Sequence, residues 1–448
     1  MKQRIEAVLN RLIVSRLWPW PSRAVMIGFL LVLTYFSLFG PRDPRLNFAT
    51  VMSWIVWWPL LAVSYFFFGR IWCAVCPMGA LADLTQRFSL NLKAPRLFKR
   101  RGFVAGILLV AILYQAWIEE VTRAAVSPLV TGFILWGFTA GAVVGALLFE
   151  RWTWCRHLCP LGAWTGVFAM GSVMEIRANQ GNCVDQKCTS IYCYFGREEL
   201  KGCPFHHTPK TMDTNRYCSM CGNCLKACPH GSLRLELRNP IKEFATQKKE
   251  MPENALIALA AIGVVAFQAF VMTEPWAALR AMVSGYAILS NDAVVYGGLL
   301  IGFVGLAVGM FLAATKIFSA MGALPYGVEV RRFGLAFLPL ALFVHIGHNL
   351  GHLLGGYKII PVAMAASFGA VVQVPQGDAM LGLAVWRGLQ FVLLGVGVAL
   401  SVWTLRRLCA ASASRCPSGR RLFPYVILTA VFALGFAAIL SLPMASRL

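Results

Sequence analysis

The sequence predicts a mainly α-helical, polytopic membrane protein of about nine spans, interrupted by one small α+β domain on the cytoplasmic side. Three observations carry that prediction. The chain is 58% hydrophobic and only 13% charged over 448 residues, with a mean hydropathy of +0.65, an apolar share beyond that of soluble domains. Its apolar runs approach the ~20 residues a helix needs to cross a bilayer. Its 14 Cys are concentrated in ordered runs between or beside those spans. A net charge of +22 would also suit a nucleic-acid binder. Lys and Arg, however, collect in alternate loops, as the positive-inside rule requires, and no nucleic-acid partner is expected.

Residues 1–23 form a basic, roughly amphipathic cytoplasmic lead ending in Trp18-Pro19-Trp20-Pro21. Its long charged stretch and the lack of a small-residue cleavage site argue against a cleaved signal peptide. A four-helix membrane core is expected over 24–175, with spans near 24–40, 51–68, 103–118 and 131–149. The loop after the second span carries Arg70, Arg87, Lys93, Arg96, Lys99, Arg100 and Arg101 against the single acid Asp83, which places it inside. Within the core, 163–176 reads as an interfacial helix. The polar section 176–252 is the cytoplasmic domain. Five more spans, near 254–273, 293–315, 333–355, 381–404 and 423–442, make up a membrane domain over 253–448. The loops at 316–332 and 405–422 are basic (Arg331, Arg332, Arg406, Arg407, Arg415, Arg420, Arg421), and those at 274–292 and 356–380 are not. The N-terminus is therefore expected inside and the C-terminus outside. All 14 Cys then face the cytoplasm, where thiols stay reduced. Cys409 and Cys416 fall outside every ordered set and read as incidental.

The cytoplasmic section contains Cys218-Ser-Met-Cys221-Gly-Asn-Cys224-Leu-Lys-Ala-Cys228-Pro229. This is C-x2-C-x2-C-x3-C-P, the run that holds an iron–sulfur cluster in bacterial ferredoxins. Zinc also takes paired C-x2-C motifs, but from two separated pairs and not an unbroken run ending in Pro. Upstream, Cys183-x4-Cys188-x4-Cys193-x9-Cys203-Pro204 is a stretched copy. In two-cluster ferredoxins the fourth Cys of each run serves the other cluster. One expected ligand set is thus Cys218, Cys221, Cys224 and Cys203, and the other is Cys183, Cys188, Cys193 and Cys228.

The first half also repeats. The second span runs into Gly69-Arg70-Ile-Trp72-Cys73-Ala-Val-Cys76-Pro77-Met-Gly79, and the fourth into Glu150-Arg151-Trp-Thr-Trp154-Cys155-Arg-His-Leu-Cys159-Pro160-Leu-Gly162. Parallel repeats commonly pack about an axis along the membrane normal. Such packing would gather Cys73, Cys76, Cys155 and Cys159, enough thiolates for a third [4Fe–4S] cluster. The alternative is two structural Cys pairs that hold nothing.

On these motifs the chain resembles the membrane polyferredoxin superfamily, the NapH, NosR and CcoG type, which combines four helices, two C-x3-C-P motifs and a dicluster ferredoxin domain. The resemblance covers about 24–240. Its first Cys pair is one residue shorter, its first ferredoxin run is stretched, and five further spans follow the core. The resemblance implies [4Fe–4S] clusters, electron transfer in a bacterial inner membrane, and a redox partner protein or a respiratory or photosynthetic complex.

The last observation is a polar stripe. His345, His348 and His352 share one helical face, with Asn349 beside them. Arg387 and Gln390 of the following span are placed to face it. Polar side chains at membrane depth are costly and mark function by default. A quinone or proton site is the favoured reading; a metal or haem site and helix–helix hydrogen bonding are the alternatives. The expected function is electron transfer between a quinone pool or membrane partner and a cytoplasmic redox partner. Its rival is an assembly or regulatory factor that uses its clusters to reduce a metal centre or sense redox state.

Overall fold

A computed structural model describes residues 1–185, 188–246, 252–286, 288–321, 325–374, 383–410 and 422–445. The chain divides into two compact units, neither contiguous in sequence. One joins 1–32, 64–100 and 134–248, and the other joins 33–63, 101–133 and 249–448. Each contains parts of the expected four-helix core.

The protein is mostly helical, and among the described residues seven helices are long and apolar enough to cross a membrane: Trp20–Phe39, Phe48–Phe68, Pro128–Leu148, Asp292–Ala320, Tyr326–Gly356, Val385–Ala410 and Phe423–Ser441. The other two expected spans lie on the helices Arg101–Val121 and Pro252–Phe270. The first is bounded by Arg101 and by Glu119 and Glu120. The second counts as a shorter apolar helix, Asn254–Phe270.

In the first unit both Cys-Pro motifs fold alike. A long helix ends at Phe68 or Leu148, a short helix follows (Ile71–Val75 or Thr153–His157), and a second short helix begins at the Pro (Pro77–Thr85 or Pro160–Phe168). Proline suits the first helical turn because its missing N–H would be unpaired there anyway. Each helix is thus capped by the second Cys of its pair, Cys76 or Cys159. The indole of Trp154 lies against Gly141 and Gly145. A Cβ at Gly141 would stand 2.5 Å from that ring, so only glycine admits it. The 163–176 stretch differs from expectation. The helix Pro160–Phe168 is buried along almost its whole length, and a strand begins at Met174. Its Ala, Gly and aromatic residues pack inside the unit; Trp164 and Phe168 stack at 5.3 Å. An interfacial helix would need one polar face in water, and this one has none.

The Cys-rich section lies between two antiparallel strands, Met174–Ala178 and Leu233–Leu237, registered Met174 to Leu237 and Ala178 to Leu233. The N-terminal helix Lys2–Val14 covers the second strand. Asn10 donates to the Leu235 carbonyl (2.8 Å) and accepts from its N–H (2.9 Å), and Glu6 accepts from the N–H of Leu237 (2.8 Å). Side chains thus satisfy a strand edge that would otherwise be open to pairing. Ile13 enters the same core as Met174, Ile176, Met220 and Leu225. The sequence reading, which took 1–23 as a basic, roughly amphipathic lead, missed this docking.

In the second unit Pro252–Phe270 is the inner helix. Residues 255 to 269 are almost all buried, as expected of a helix apolar on every side. A Cβ at Gly263 would stand 2.5 Å from Val304 Cα, so glycine lets the two backbones meet. At one end Tyr425 donates to Thr315 Oγ1 (3.1 Å) and packs among Phe311, Phe318 and Phe333.

Candidate metal centres

Among the described residues twelve cysteines are free thiols, and the structure brings them into three neighbourhoods, all in the first unit. In the first, burial pushes the Cys155 thiol well above its usual range, and the charges of Cys159, Cys76 and Cys73 add to it. Burial also pushes Cys159 up to about 12 and Cys76 up to about 11, with Cys73 a further contributor to both. The two Cys-Pro motifs therefore converge. Cys159 Sγ accepts from the Gly162 N–H at the start of its helix (3.3 Å), and Cys73 Sγ lies 3.7 Å from Thr165 Oγ1.

In the second neighbourhood burial raises Cys224 strongly, followed by the charges of Cys221, Cys218 and Cys203. Cys203 is pushed up to about 12 by burial and then by Cys221 and Cys218. In the third, burial raises Cys193, with Cys228, Cys188 and Cys183 as the neighbouring thiols. Cys203 therefore stands near Cys218, Cys221 and Cys224, and Cys228 stands near Cys193. Cys193 also acts on Cys224, so the second and third neighbourhoods adjoin.

Among the described residues no three His, Cys, Asp or Glu side chains converge tightly enough for a single metal ion. A cubane takes one thiolate at each of four irons, so its ligands stand apart. Thiols whose ionisation burial opposes this strongly need bound cations to become thiolates, and four around one site is the donor set a cubane uses. Cys409, read as incidental, is disulfide-bonded; Arg415, Cys416, Arg420 and Arg421 lie outside the described residues.

A buried polar frame holds the centres. Asp83, in the helix after Cys76, accepts from Arg23 Nη1 (2.8 Å), Arg151 Nε (2.8 Å) and Trp152 Nε1 (3.0 Å). Burial alone would raise its carboxyl, but Arg151 and Arg23 hold it down at about 2. Arg23 also donates to the Ala74 carbonyl (2.6 Å). One carboxylate thus links the lead segment to both Cys-Pro motifs. Arg151 Nη1 reaches Gly202 O (3.4 Å), beside Cys203, and Arg70 Nη1 reaches Arg216 O (2.7 Å), two residues before Cys218. The sequence reading took Arg70 for an inside-loop charge and gave Arg151 no role beyond the repeat. Their place just before W-C in both repeats was the signal that could have found them. Further out, Glu243 accepts from Thr214 (2.6 Å) and Asn215 donates to Ser172 and the Met174 carbonyl (both 2.7 Å), fixing the segment that leads into Cys218.

A model of the 4Fe–4S binding domain matches residues 50–95 and 130–173, which are the two Cys-Pro motifs with their membrane helices. The chain resembles the membrane polyferredoxins over these two segments. [4Fe–4S] clusters are the cofactor of that domain. The chain is 29% identical over 190 residues to the ferredoxin-type protein NapH of Escherichia coli K12, covering 38% of this chain and 63% of the relative. It is 32% identical over 137 residues to the methylamine utilization ferredoxin-type protein MauN of Methylobacillus flagellatus (28% and 48%). It is 28% identical over 144 residues to the regulatory protein NosR of Pseudomonas aeruginosa (28% and 20%). The alignments thus span between a fifth and just under two thirds of these relatives. No solved structure matches the chain.

In the second unit the histidines lie on the helix Leu338–Gly356, with His345 and His348 buried. Asn349 Nδ2 donates to the His345 carbonyl (2.8 Å) and lies 3.2 Å from its Nδ1. The rings of His348 and His352 meet edge to face at 5.2 Å. Gln390 donates to Gly347 O (3.3 Å), and the indole of Trp386 stands where a Cβ on Gly351 would be. Arg387 donates to Leu442 O (3.2 Å). Asn349 Oδ1, Gln390 Oε1, Trp386 Nε1 and Arg387 Nε are buried without hydrogen-bond partners.

Proposed function

We propose that the protein transfers electrons between a quinone pool or membrane partner and a redox partner on the cytoplasmic side of a bacterial inner membrane. Cys203, Cys218, Cys221 and Cys224 hold one cluster, Cys183, Cys188, Cys193 and Cys228 a second, and Cys73, Cys76, Cys155 and Cys159 a third at the membrane entry. The clusters supply one-electron transfer without making or breaking substrate bonds. The observation that carries this reading is the grouping of twelve free thiols into three sets of four within one unit. The Gly162 N–H, which donates to Cys159 Sγ (3.3 Å), stabilises negative charge on that sulfur, a lever on cluster potential.

The His stripe is the quinone site of this reading. A quinone has carbonyl acceptors and, once reduced, hydroxyl donors. The unpartnered Trp386 Nε1 and Arg387 Nε can donate, and Asn349 Oδ1 and Gln390 Oε1 can accept. A haem held by His348 or His352 is the alternative occupant.

The test is reduction of the clusters by quinol in purified membranes, followed by EPR. Quinol-dependent signals that are lost in Cys221→Ser support the proposal. Signals that respond neither to quinol nor to any other reductant of those membranes would refute it. The second reading, cluster-borne regulation or assembly of a metal centre, is favoured by the likeness to a relative named as regulatory. A deletion strain with normal electron flux but a metal-deficient oxidase or reductase would select it.

A further inference from the structure

Arg70 is 3% exposed, and its Nε and Nη2 have no hydrogen-bond partner. Its one hydrogen bond, from Nη1, goes to a carbonyl, that of Arg216, and its guanidinium lies over the Phe205 ring at 4.4 Å. Arg151, its counterpart in the second repeat, is neutralised by Asp83 at 2.8 Å. Arg70 has no such partner: none of the ion pairs among the described residues includes it. Arg216 is also buried, and both of its terminal nitrogens lack partners. A buried, uncompensated cation costs several kcal/mol, so the site is built for an anion.

The surroundings say which anion. A Cβ on Gly162 would stand 3.3 Å from Arg70 Nη2, 3.4 Å from Cys159 Cβ and 2.8 Å from Cys155 O. Glycine here keeps open the approach between the guanidinium and the second Cys pair. Arg70 thus stands beside the second Cys pair through Nη2 and, through Nη1 on the Arg216 carbonyl, two residues from Cys218. A cubane with four thiolates carries net negative charge, and each added electron makes it more negative.

Resting on the cluster assignment above, we propose that Arg70 is the counter-ion of the juxtamembrane cluster and the positioning residue that ties it, through Arg216, to the cluster of Cys203, Cys218, Cys221 and Cys224. The positive charge favours the reduced, more negative state and so raises the reduction potential. One electron leaves the reduced partner and enters the oxidised one along this link. No bond or proton moves.

The experiment is an EPR-monitored redox titration of the purified full-length protein, with iron measured on the same samples. Arg70→Gln keeps wild-type iron and lowers the midpoint of the juxtamembrane signal by the equivalent of at least tenfold in the equilibrium constant, 59 mV for one electron. Arg70→Lys, which keeps the charge, stays near the wild-type midpoint. Unchanged midpoints in Arg70→Gln with full iron would overturn the proposal. If Arg70→Gln loses iron, the Lys variant decides: retained iron supports a counter-ion, and equal loss shows that Arg70 only packs. Wild-type protein without a juxtamembrane signal would instead sink the cluster assignment, a separate result.

Discussion

Asp83→Asn removes one charge from the frame that joins the two Cys-Pro motifs. The carboxylate is 1% exposed and faces Arg23, 4% exposed, and Arg151, 17% exposed. Asparagine keeps the shape but leaves two guanidiniums buried with no counter-charge. Breaking a buried pair from one side costs about 3–5 kcal/mol. An independent figure comes from its ionisation. A carboxyl held at about 2 instead of 3.8 contributes about 2.5 kcal/mol. Because its folded value is depressed, that contribution is fully present above about pH 4 and is lost as pH falls toward 2. The two figures agree in size. Thermal unfolding in detergent near neutral pH should therefore show Asp83→Asn lower by roughly 5 °C or more, with early loss of the juxtamembrane cluster. Between pH 4 and 2 the wild type should lose its advantage, and the two proteins should converge. Equal unfolding temperatures at pH 7, or a gap that persists unchanged at pH 2, would refute the reasoning.

Gly222→Ala should destabilise the first unit by more than 1 kcal/mol: Gly222 has φ +75°, and a Cβ there would stand 2.5 Å from Ile13 Cγ2. Partial rescue by Ile13→Ala, measured by unfolding, would separate steric clash from backbone strain. His348→Ala should slow quinol-linked reduction while leaving iron content unchanged, because no thiol set includes it. Unaltered rates in a His345, His348 and His352 triple Ala variant that expresses normally would leave the stripe as helix packing.

The helices and the Cys runs were legible because each has a strong local code. Apolar length marks a span, and fixed Cys spacing marks a cluster ligand run. The crossed ligand sets are an expectation from the two Cys-Pro endings, and the joint site of the pairs at Cys73 and Cys155 is an expectation from the repeat. What could not be read depends on contacts remote in sequence. Asn10 pairs with Leu235 through one amide, which no periodicity reports. Arg23, Arg70 and Arg151 look like ordinary inside charges, and only burial shows them to be internal. The 163–176 stretch was misread because small and aromatic residues suit both an interface and a packed core. Two of the nine expected spans fall outside the seven long apolar helices: Arg101–Val121 is edged by charge, and Pro252–Phe270 is short, apolar on every side and packed within its unit.

The central claim is that the two Cys-Pro motifs jointly hold a third cluster. Iron and acid-labile sulfide per chain test it most directly, measured in the wild type and in a Cys76→Ser, Cys159→Ser double variant. The account predicts about twelve iron in the wild type, four per cubane, and about eight in the variant, with the EPR signals of the other two clusters intact. About eight in both proteins would show that Cys73, Cys76, Cys155 and Cys159 hold no cluster.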